Sequence, residues 1–399
     1  MKILVISEIV YREGGGAELA TYLILKILSK EGFKITVLTS TRNPEPIPGV
    51  SYYTTSLLKP LDRVRRFFNV EMLKRQEWFR KLLKSHDILY IPQAAYNLIP
   101  QAKKLGLKII VHLHNYTPIR WHGVVYYFEP ERPTLMQELK VAIYNEVHQH
   151  GDPKRLLGLP ASYLIYLVTK QTLKEADYII CVSRRQAGII LKQIPELAEK
   201  IRVIYNPLPN IPKTNLAKSK KPTLLYSGGD NYIKGFQTLL EALPKIMKYN
   251  KNVEVILTGR YGKTTEVLKQ ISKSVDKRIE LLGYVSRNKL LNLCAKSWAT
   301  IVPSIWEEPL PYVVMESMIL GTIPIASKIG GIPEIVNGTP AERFLCSPND
   351  PTELIERLNE VTAMDRKDLE QIGYKLQRQT EKKFNPIRVM KDILKVLWN

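Results

Sequence analysis

Residues 303–318 read PSIWEEPLPYVVMESM, and they come directly after the apolar run ATIV of residues 299–302. A short apolar run predicts a buried strand, and open parallel sheets bind ligands at the carboxyl ends of their strands. The stretch holds two carboxylates, Glu308 and Glu316, with seven residues between them. A glutamate near a helix start often only favours the helix dipole, but Glu316 lies inside an apolar run, where an unpartnered carboxylate is costly. We therefore interpret the stretch as one edge of a ligand site.

Apolar strands alternate with amphipathic helical segments along the whole chain, which is the pattern of an α/β fold. The predicted strands are residues 3–6, 35–38, 88–91, 109–112 and 178–182 in a first series, and residues 223–226, 253–257, 279–282, 299–302 and 323–326 in a second. The proline-rich, charged segment 207–222 separates the two series as a linker. Two doubly wound, Rossmann-like domains facing a central cleft are the simplest architecture. We expect residues 351–399 to be helical, and the part from about Pro386 to return to the first domain.

Composition and charge narrow the class of protein. The chain has 399 residues, of which 45% are hydrophobic, and this is enough for two or three domains with full-sized cores. Its net charge of +21 predicts an anionic partner, such as a phosphate or an acidic lipid. The three cysteines show no metal-binding or redox spacing, so we expect reduced, structural thiols. We expect neither a signal peptide nor a transmembrane helix, and hence a cytoplasmic protein.

In each series, one glycine-rich segment follows the first strand. Gly14, Gly15 and Gly16 precede a predicted helix, so their backbone amides can approach an anion at a helix start. The segment does not match the G-x-G-x-x-G dinucleotide fingerprint, which disfavours NAD, and glycine-rich turns also serve plain strand-to-helix packing. In the second series, Gly228 and Gly229 lead to Lys234, a cation that can neutralise a leaving diphosphate or simply be solvated.

His112 ends the predicted strand 109–112, and His114, two residues later, should project to the same side. A metal pair is conceivable, but the sequence offers no third ligand, and the pair His148 and His150 is equally ambiguous. We therefore discount a metal site. A hydrogen bond from His114 to a substrate hydroxyl is the more plausible role.

Together these segments resemble the family 4 retaining glycosyltransferases of the GT-B fold. The resemblance covers nearly the whole chain, and it rests on residues 14–18, 114–115, 176–183, 204–207, 228–235, 283 and 303–334. The spacing from Glu308 to Glu316 corresponds to the E-x7-E signature of that family. The resemblance implies transfer of a hexosyl group from a nucleotide sugar, such as a UDP- or GDP-sugar, to an acceptor. It further implies retention at the anomeric carbon, no cofactor and no essential metal.

The resemblance also implies roles for individual residues. Glu308, His114 and Lys234 would be catalytic, with Glu308 and His114 contacting the donor sugar and Lys234 the diphosphate. Glu316 would bind the ribose hydroxyls, and the remaining donor-binding residues would be Gly15, Gly16, Gly229, Arg260, Leu310 and Tyr312. Residues 1–208 would form the acceptor-binding domain and residues 209–385 the nucleotide-sugar-binding domain, with a helix at 386–399 packing back on the first. No carboxylate nucleophile for a double displacement can be identified, and the family is thought to use front-face attack instead.

One departure from the family pattern concerns the diphosphate. The family usually has an arginine five residues before the lysine, but Gly229 occupies that position here. Arg260 follows another predicted strand, and replacement of the missing cation by Arg260 is a hypothesis.

The sequence gives less specific information about the acceptor substrate than about the donor. Residues 61–83 combine apolar residues at roughly helical spacing with many Lys and Arg, which is typical of a helix on an anionic membrane but also of a helix packed on its own sheet. We expect a glycan or lipid-linked acceptor at the cytoplasmic face of a membrane. Two alternatives stay open: a sugar-nucleotide epimerase of the same fold, and a basic nucleic-acid-binding protein. The second is disfavoured, because the sequence contains no recognised nucleic-acid module.

Overall fold

A computed structural model describes residues 1–11, 13, 15–151, 153–211, 217–262, 264–275 and 278–398. The chain forms two compact units. The first unit comprises Met1–Val125, Glu129–Pro209 and Pro386–Asn399, and the second comprises Tyr126–Phe128 and Asn210–Asn385. Gly14 and residues 212–216 of the predicted linker lie outside the described residues.

Strands and helices alternate along the described chain. The strands are β1 Lys2–Ile6, β2 Lys34–Thr39, β3 Val50–Thr54, β4 Ile88–Ile91, β5 Lys108–Leu113, β6 Tyr178–Cys181, β7 Ile201–Val203, β8 Thr223–Tyr226, β9 Glu254–Thr258, β10 Ile279–Gly283, β11 Ala299–Val302, β12 Ile323–Ser327 and β13 Leu345–Cys346. The α-helices are α1 Gly16–Lys30, α2 Arg63–Lys74, α3 Glu77–Lys84, α4 Ile99–Lys104, α5 Leu135–Asn145, α6 Leu159–Leu173, α7 Arg184–Gln193, α8 Phe236–Tyr249, α9 Thr264–Ser274, α10 Arg287–Lys296, α11 Tyr312–Ile319, α12 Ile332–Val336, α13 Pro351–Thr362, α14 Arg366–Lys383 and α15 Pro386–Trp398. None of the helices in the described ranges is long and apolar enough to cross a membrane.

The first unit is built on a parallel sheet with the strand order β3-β2-β1-β4-β5-β6-β7. Its inner strands are buried on both faces, because they are short apolar runs covered by helices. Helix α15 completes this unit: Val389, Ile393 and Leu397 join the same buried cluster as Ile3 and Ile35. The expected return of the C-terminal helix to the first domain is therefore confirmed.

The second unit repeats the architecture, with the parallel strand order β10-β9-β8-β11-β12-β13. It also contains Tyr126–Phe128, a short segment from the loop that follows β5. Tyr126 forms an isolated antiparallel bridge with Trp306, and the amide of Tyr127 donates to the carbonyl of Ile305 at 3.1 Å. The hydroxyl of Tyr127 accepts a hydrogen bond from Asn349 at 3.0 Å. This segment therefore packs on the loop after β11.

The prediction of two doubly wound parallel sheets is confirmed. The sequence analysis did not identify β3, β7 and β13, which are edge strands in their sheets and either half-exposed or very short. The end of the predicted linker is also more ordered than a linker would be. Lys218 is only 4% exposed, and its ammonium donates to the carbonyl of Ala295 at 2.9 Å and to the hydroxyl of Thr322 at 2.6 Å. These bonds attach the first residues of the second unit to α10 and to Thr322, which directly precedes β12.

Lys218 should make stability depend on pH in an unusual direction. Burial lowers its pKa from 10.5 to about 8. Below pH 8 the lysine is charged in both the folded and the unfolded state, so the folded state bears the cost of a buried charge. As the pH rises from 8 to 10.5 the folded protein loses this charge first, and the free energy of unfolding should increase by an amount on the order of 3 kcal/mol.

We predict that Lys218→Met removes this increase. The measurement is urea unfolding of the wild type and the variant between pH 7.5 and 10.5, with the exposed neighbour variant Lys220→Met as the control. Equal pH slopes for the wild type and Lys218→Met would show that Lys218 is not the titrating group.

Candidate active site

The strand order of the second unit creates a crevice beside β8. The chain leaves β8 on one side toward β9 and later returns on the other side as β11, so the loops after β8 and β11 diverge from adjacent strands. In doubly wound sheets this switch point is where ligands bind. The two loops are residues 227–235 and 303–311, and they carry Lys234 and Glu308.

A glycine allows these loops to touch. Gly235 has φ +72, and a Cβ at that position would lie 1.7 Å from the carbonyl oxygen of Pro303. The amide of Ile305 also donates to the carbonyl of Ile233 at 3.0 Å. A side chain at position 235 would therefore separate the two loops.

Lys234 and Glu308 form an ion pair across this contact. The lysine Nζ lies 2.7 Å from Oε1 of Glu308, and the hydroxyl of Ser304 donates to the same oxygen at 2.6 Å. Glu308 is 3% exposed and Ser304 is fully buried, whereas about a third of the Lys234 side chain is accessible. The Nζ also lies 5.6 Å from the ring centre of Trp306, within the range of a cation–π interaction. The loops thus bring together two of the three residues that were predicted to be catalytic.

Glu316 lies in α11 and is 7% exposed. Its Oε1 accepts a hydrogen bond from Nη2 of Arg287, at the start of α10. Burial raises the pKa of Glu316, and the Arg287 guanidinium opposes that rise. Leu310 and Tyr312, two predicted donor-binding residues that precede Glu316 in the chain, are also buried. Burial raises the pKa of Tyr312 well above its usual value. The hydroxyl of Tyr312 is therefore neutral at physiological pH.

The loop that carries Glu308 is fixed from its other side by Gly330 and Gly331. The amide of Gly331 donates to the carbonyl of Glu308 at 2.7 Å, and the amide of Gly330 donates to Oε2 of Glu307 at 3.0 Å. Gly330 has φ +60, and a Cβ there would lie 2.2 Å from the carbonyl oxygen of Glu308. These contacts hold the backbone of Glu308 in one position.

Gly229 and Arg260 are neighbours. Gly229 has φ +62, and a Cβ at this position would lie 2.6 Å from the carbonyl oxygen of Arg260. The amide of Asp230 donates to the same carbonyl at 3.1 Å. An arginine could not occupy position 229 without displacing residue 260, and the side chain that begins beside Gly229 is instead the exposed side chain of Arg260.

In the first unit, Gly15 and Gly16 lie exposed at the start of α1. The amide of Gly15 donates to Oε2 of Glu18 at 2.6 Å, and Gln93 donates to the other oxygen of that carboxylate. Among the described residues a Cβ at Gly15 would meet only Glu18, at 3.9 Å, so packing against them does not require glycine there. An anion at the Gly15 amide would have to displace the Glu18 carboxylate.

His114 follows β5 and is partly buried, with its ring centre 4.3 Å from that of His112. His112 is fully buried, and its Nδ1 is hydrogen-bonded to the hydroxyl of Tyr90 at 2.7 Å. Burial lowers the pKa of His114 to about 4 and that of His112 well below 6.5, so both rings are neutral at pH 7. Among the described residues, Nε2 of His114 has no hydrogen-bond partner.

Two further ionisable residues lie near the carboxyl ends of strands, and the sequence analysis missed both. Glu8 comes just after β1, and its Oε1 lies 2.6 Å from Nε of Arg66 in α2. Burial raises the pKa of Glu8 to about 7, despite the opposing charge of Arg66. The position of Glu8 at a strand end was a readable signal. Arg287, the partner of Glu316, gave no such signal, because its role depends on a contact between two helices.

Within the described ranges, the structure contains no cluster of three or more His, Cys, Asp or Glu side chains that could hold a metal ion. His150 was considered as a metal ligand in the sequence analysis, and its side chain is not among those that the structure describes.

Comparison with known protein families shows which family the chain belongs to. Residues 14–209 match the model "Glycosyltransferase Family 4", and residues 209–379 match the model "Glycosyl transferases group 1". The chain belongs to glycosyltransferase family 4. The resemblance inferred from the sequence is therefore confirmed, and the two adjoining matches divide this glycosyltransferase at residue 209.

Individual relatives are distant. An uncharacterised 42.6 kDa protein in the cps region of Klebsiella pneumoniae is 23% identical over 358 residues, which are 86% of this glycosyltransferase and 90% of that protein. The lipopolysaccharide 1,2-N-acetylglucosaminetransferase of Salmonella typhimurium is 27% identical over 166 residues, 40% of this chain and 44% of its own. Two further curated relatives are likewise matched over half of their length or less.

Solved structures establish the GT-B fold of this glycosyltransferase. The crystal structure of Anabaena HepE in complex with UDP and glucose has a TM-score of 0.65 and 19% sequence identity, and the match covers 100% of this chain and 99% of that one. Sucrose-phosphate synthase from Thermosynechococcus elongatus has a TM-score of 0.73 and 17% identity, with 99% and 98% of the chains covered.

We predict that Gly235→Ala costs much more stability than Gly338→Ala. Both glycines have positive φ, at +72 and +74, so both substitutions carry a similar backbone strain of about 1 to 2 kcal/mol. A methyl group at 338 meets no described residue within 4 Å, whereas one at 235 collides with Pro303. The collision should add about 2 kcal/mol or more to the loss of unfolding free energy, measured by urea titration. Equal losses for the two variants would contradict the close approach of the loops.

Proposed function

We propose that this glycosyltransferase transfers a hexosyl group from a nucleoside diphosphate sugar, with retention at the anomeric carbon. The observation that carries the proposal is the ion pair of Lys234 and Glu308 at the switch point of the second unit. A buried carboxylate beside a partly accessible ammonium suits a ligand that combines sugar hydroxyls with an anionic phosphate.

The donor would lie along the carboxyl edge of the second sheet. Glu316 would accept hydrogen bonds from the ribose, and Lys234 would contact the diphosphate. An ammonium has three N–H donors, so Lys234 can bind a phosphate oxygen while it keeps its bond to Glu308. Arg260 would supply the second cation, because it begins beside Gly229, the position of the missing arginine. The complex of Anabaena HepE with UDP and glucose supports a donor of this class.

The chemistry would rest mainly on stabilising the leaving group. As the glycosidic bond breaks, negative charge grows on the diphosphate, and Lys234 and Arg260 would stabilise that charge. In front-face attack the departing phosphate accepts the proton of the acceptor hydroxyl, so no enzymic base is needed. Glu308 would bind a sugar hydroxyl through the oxygen that Lys234 and Ser304 leave free. We further propose that these cations make a metal ion dispensable and that the enzyme carries no cofactor.

His114 would contact the donor sugar from the first unit. Its neutral ring has one N–H donor and one acceptor nitrogen, which suits a hydroxyl group. Its Nε2 is buried and has no partner among the described residues, so a bond to the sugar would satisfy this nitrogen. Gly15 and Gly16 would approach the phosphates with their backbone amides.

We predict that Lys234→Ala lowers turnover of the accepted nucleotide sugar by about 100-fold or more, and Arg260→Ala by about 10-fold, because each removes a cation from the leaving group. The assay measures hydrolysis of UDP- and GDP-hexoses with EDTA present and water as the acceptor. The anomer first released, followed by NMR, should keep the configuration of the donor. Lys245→Ala, an exposed lysine of α8, is the control.

Three results would contradict parts of this proposal. Unchanged turnover in Arg260→Ala, together with loss in Lys234→Ala, would remove Arg260 from the site. An inverted anomer would rule out retention. A new sugar nucleotide formed without any acceptor would indicate the epimerase.

We also propose that the acceptor is a glycan or a lipid-linked sugar, and that the enzyme reaches it at the cytoplasmic face of a membrane. The predicted stripe at residues 61–83 forms two helices, and its members Phe79 and Leu83 are buried in the first unit. Phe68 and Met72 of α2 are 60% and 49% exposed, and Arg65 and Arg75 lie exposed on the same helix or at its end. Exposed apolar residues flanked by cations favour an anionic lipid surface.

We predict that the double variant Phe68→Glu/Met72→Glu loses sedimentation with vesicles that contain phosphatidylglycerol, because it removes apolar contacts and adds negative charge. The wild type should bind these vesicles at low salt and dissociate at high salt. Tyr249→Glu, at an exposed tyrosine of the second unit, serves as the control. Wild-type protein that fails to bind at low salt would refute the membrane proposal.

A further inference from the structure

Arg287 occupies an unfavourable place for a cation. It is the first residue of α10, after the N-cap Ser286, whose hydroxyl accepts a hydrogen bond from the amide of Lys289. The N-terminus of a helix carries a partial positive charge, so acidic residues are favoured there and arginine is not. The first turn of α10 contains no acidic residue. A tertiary contact must therefore account for Arg287.

That contact is the carboxylate of Glu316. Nη2 of Arg287 donates to Oε1, and the two side chains are 31% and 9% exposed. A carboxylate this deeply buried needs a partner, because desolvation of its charge is costly. Within the described part of the chain, Arg287 donates the hydrogen bond to Oε1, and Oε2 has no donor.

Two other titratable groups interact with Glu316, and neither carries a charge at neutral pH. Tyr312 lies on the same helix, and Cys294 lies on α10. Burial raises the pKa of Tyr312 far above its usual value and that of Cys294 to about 12. Arg287 is thus the described residue whose charge favours the ionised carboxylate, against a burial that raises its pKa.

We propose that Arg287 is a positioning residue of the nucleotide site: it fixes Oε1 of Glu316, so that the ionised carboxylate presents Oε2 to a ribose hydroxyl. This inference rests on the proposed role of Glu316 as the ribose ligand. Arg287 acts through Glu316, and it thereby sets the preference of the site for ribonucleotides over deoxyribonucleotides.

The test compares nucleoside diphosphates that differ by one hydroxyl. Calorimetry measures the binding of UDP, GDP and ADP, and then of the 2′-deoxy and 3′-deoxy forms of the diphosphate that binds. The wild type should prefer the ribose form to at least one deoxy form by about 10-fold, a typical value for one hydrogen bond to a charged group. Glu316→Gln should reduce that preference to less than about 3-fold, and Arg287→Gln should do the same.

The pH dependence gives a second readout. In Arg287→Gln the carboxylate lacks its cation, so it should ionise at a higher pH than in the wild type. The affinity of the variant relative to the wild type should then fall as the pH is lowered and recover as the pH is raised. A general loosening of the unit would not produce this dependence.

Two variants serve as controls. Lys289→Gln removes an exposed cation two residues away on the same helix and should keep the wild-type preference. Arg287→Lys keeps the charge but not the planar guanidinium, so it should give an intermediate preference even if Arg287→Gln does not fold.

The failures are distinguishable. If the wild type binds none of the three diphosphates, the proposed function is wrong and this inference falls with it. If the wild type binds one and Glu316→Gln loses the preference while both Arg287 variants keep it, the proposed function stands and only the inference is overturned. A wild type that binds ribose and deoxyribose forms equally would also overturn it.

Discussion

The second unit depends on the contact between the backbones of Gly235 and Pro303. Adjacent parallel strands bring the ends of β8 and β11 close together, but only a residue without Cβ lets the two loops touch. This contact sets the distance between Lys234 and Glu308, and the hydrogen bond from Ile305 to Ile233 maintains it. Ser304 and Trp306 then hold the two charged groups in place. The contact between the two backbones therefore keeps the two charged side chains together.

The residues of this site that lie in loops directly after buried strands could be predicted from the sequence. The apolar runs at 223–226 and 299–302 coincide with β8 and β11, and the loops after them carry the predicted Lys234 and Glu308. The edge strands β3, β7 and β13 were missed, since no residue of β3 is fully buried and β13 has only two residues. Arg287 could not be predicted, because nothing in the sequence indicates that α10 and α11 bring residues 29 positions apart into contact.

The excess of positive charge has more than one consequence in the structure. Some cations are internal, such as Lys218, which bonds to backbone and hydroxyl oxygens, and Arg120, which is buried against Glu129 at 2.8 Å. Others, such as Arg65, are solvated on helices that also expose apolar residues. The net charge of +21 therefore combines structural cations with a surface excess, and only the latter is available to an anionic partner. Counting charges in the sequence cannot separate the two groups.

Helix α15 has a consequence for how the chain acquires its structure during synthesis. Val389, Ile393 and Leu397 fill the same buried cluster as Ile3 and Ile35, more than 350 positions earlier. A ribosome produces the sheet of the first unit long before it produces the helix that covers one part of it. Until residues 386–398 emerge, apolar surface of the nascent first unit stays open to water, although the intervening second unit can already fold. The order of translation therefore makes the first unit the last to be finished.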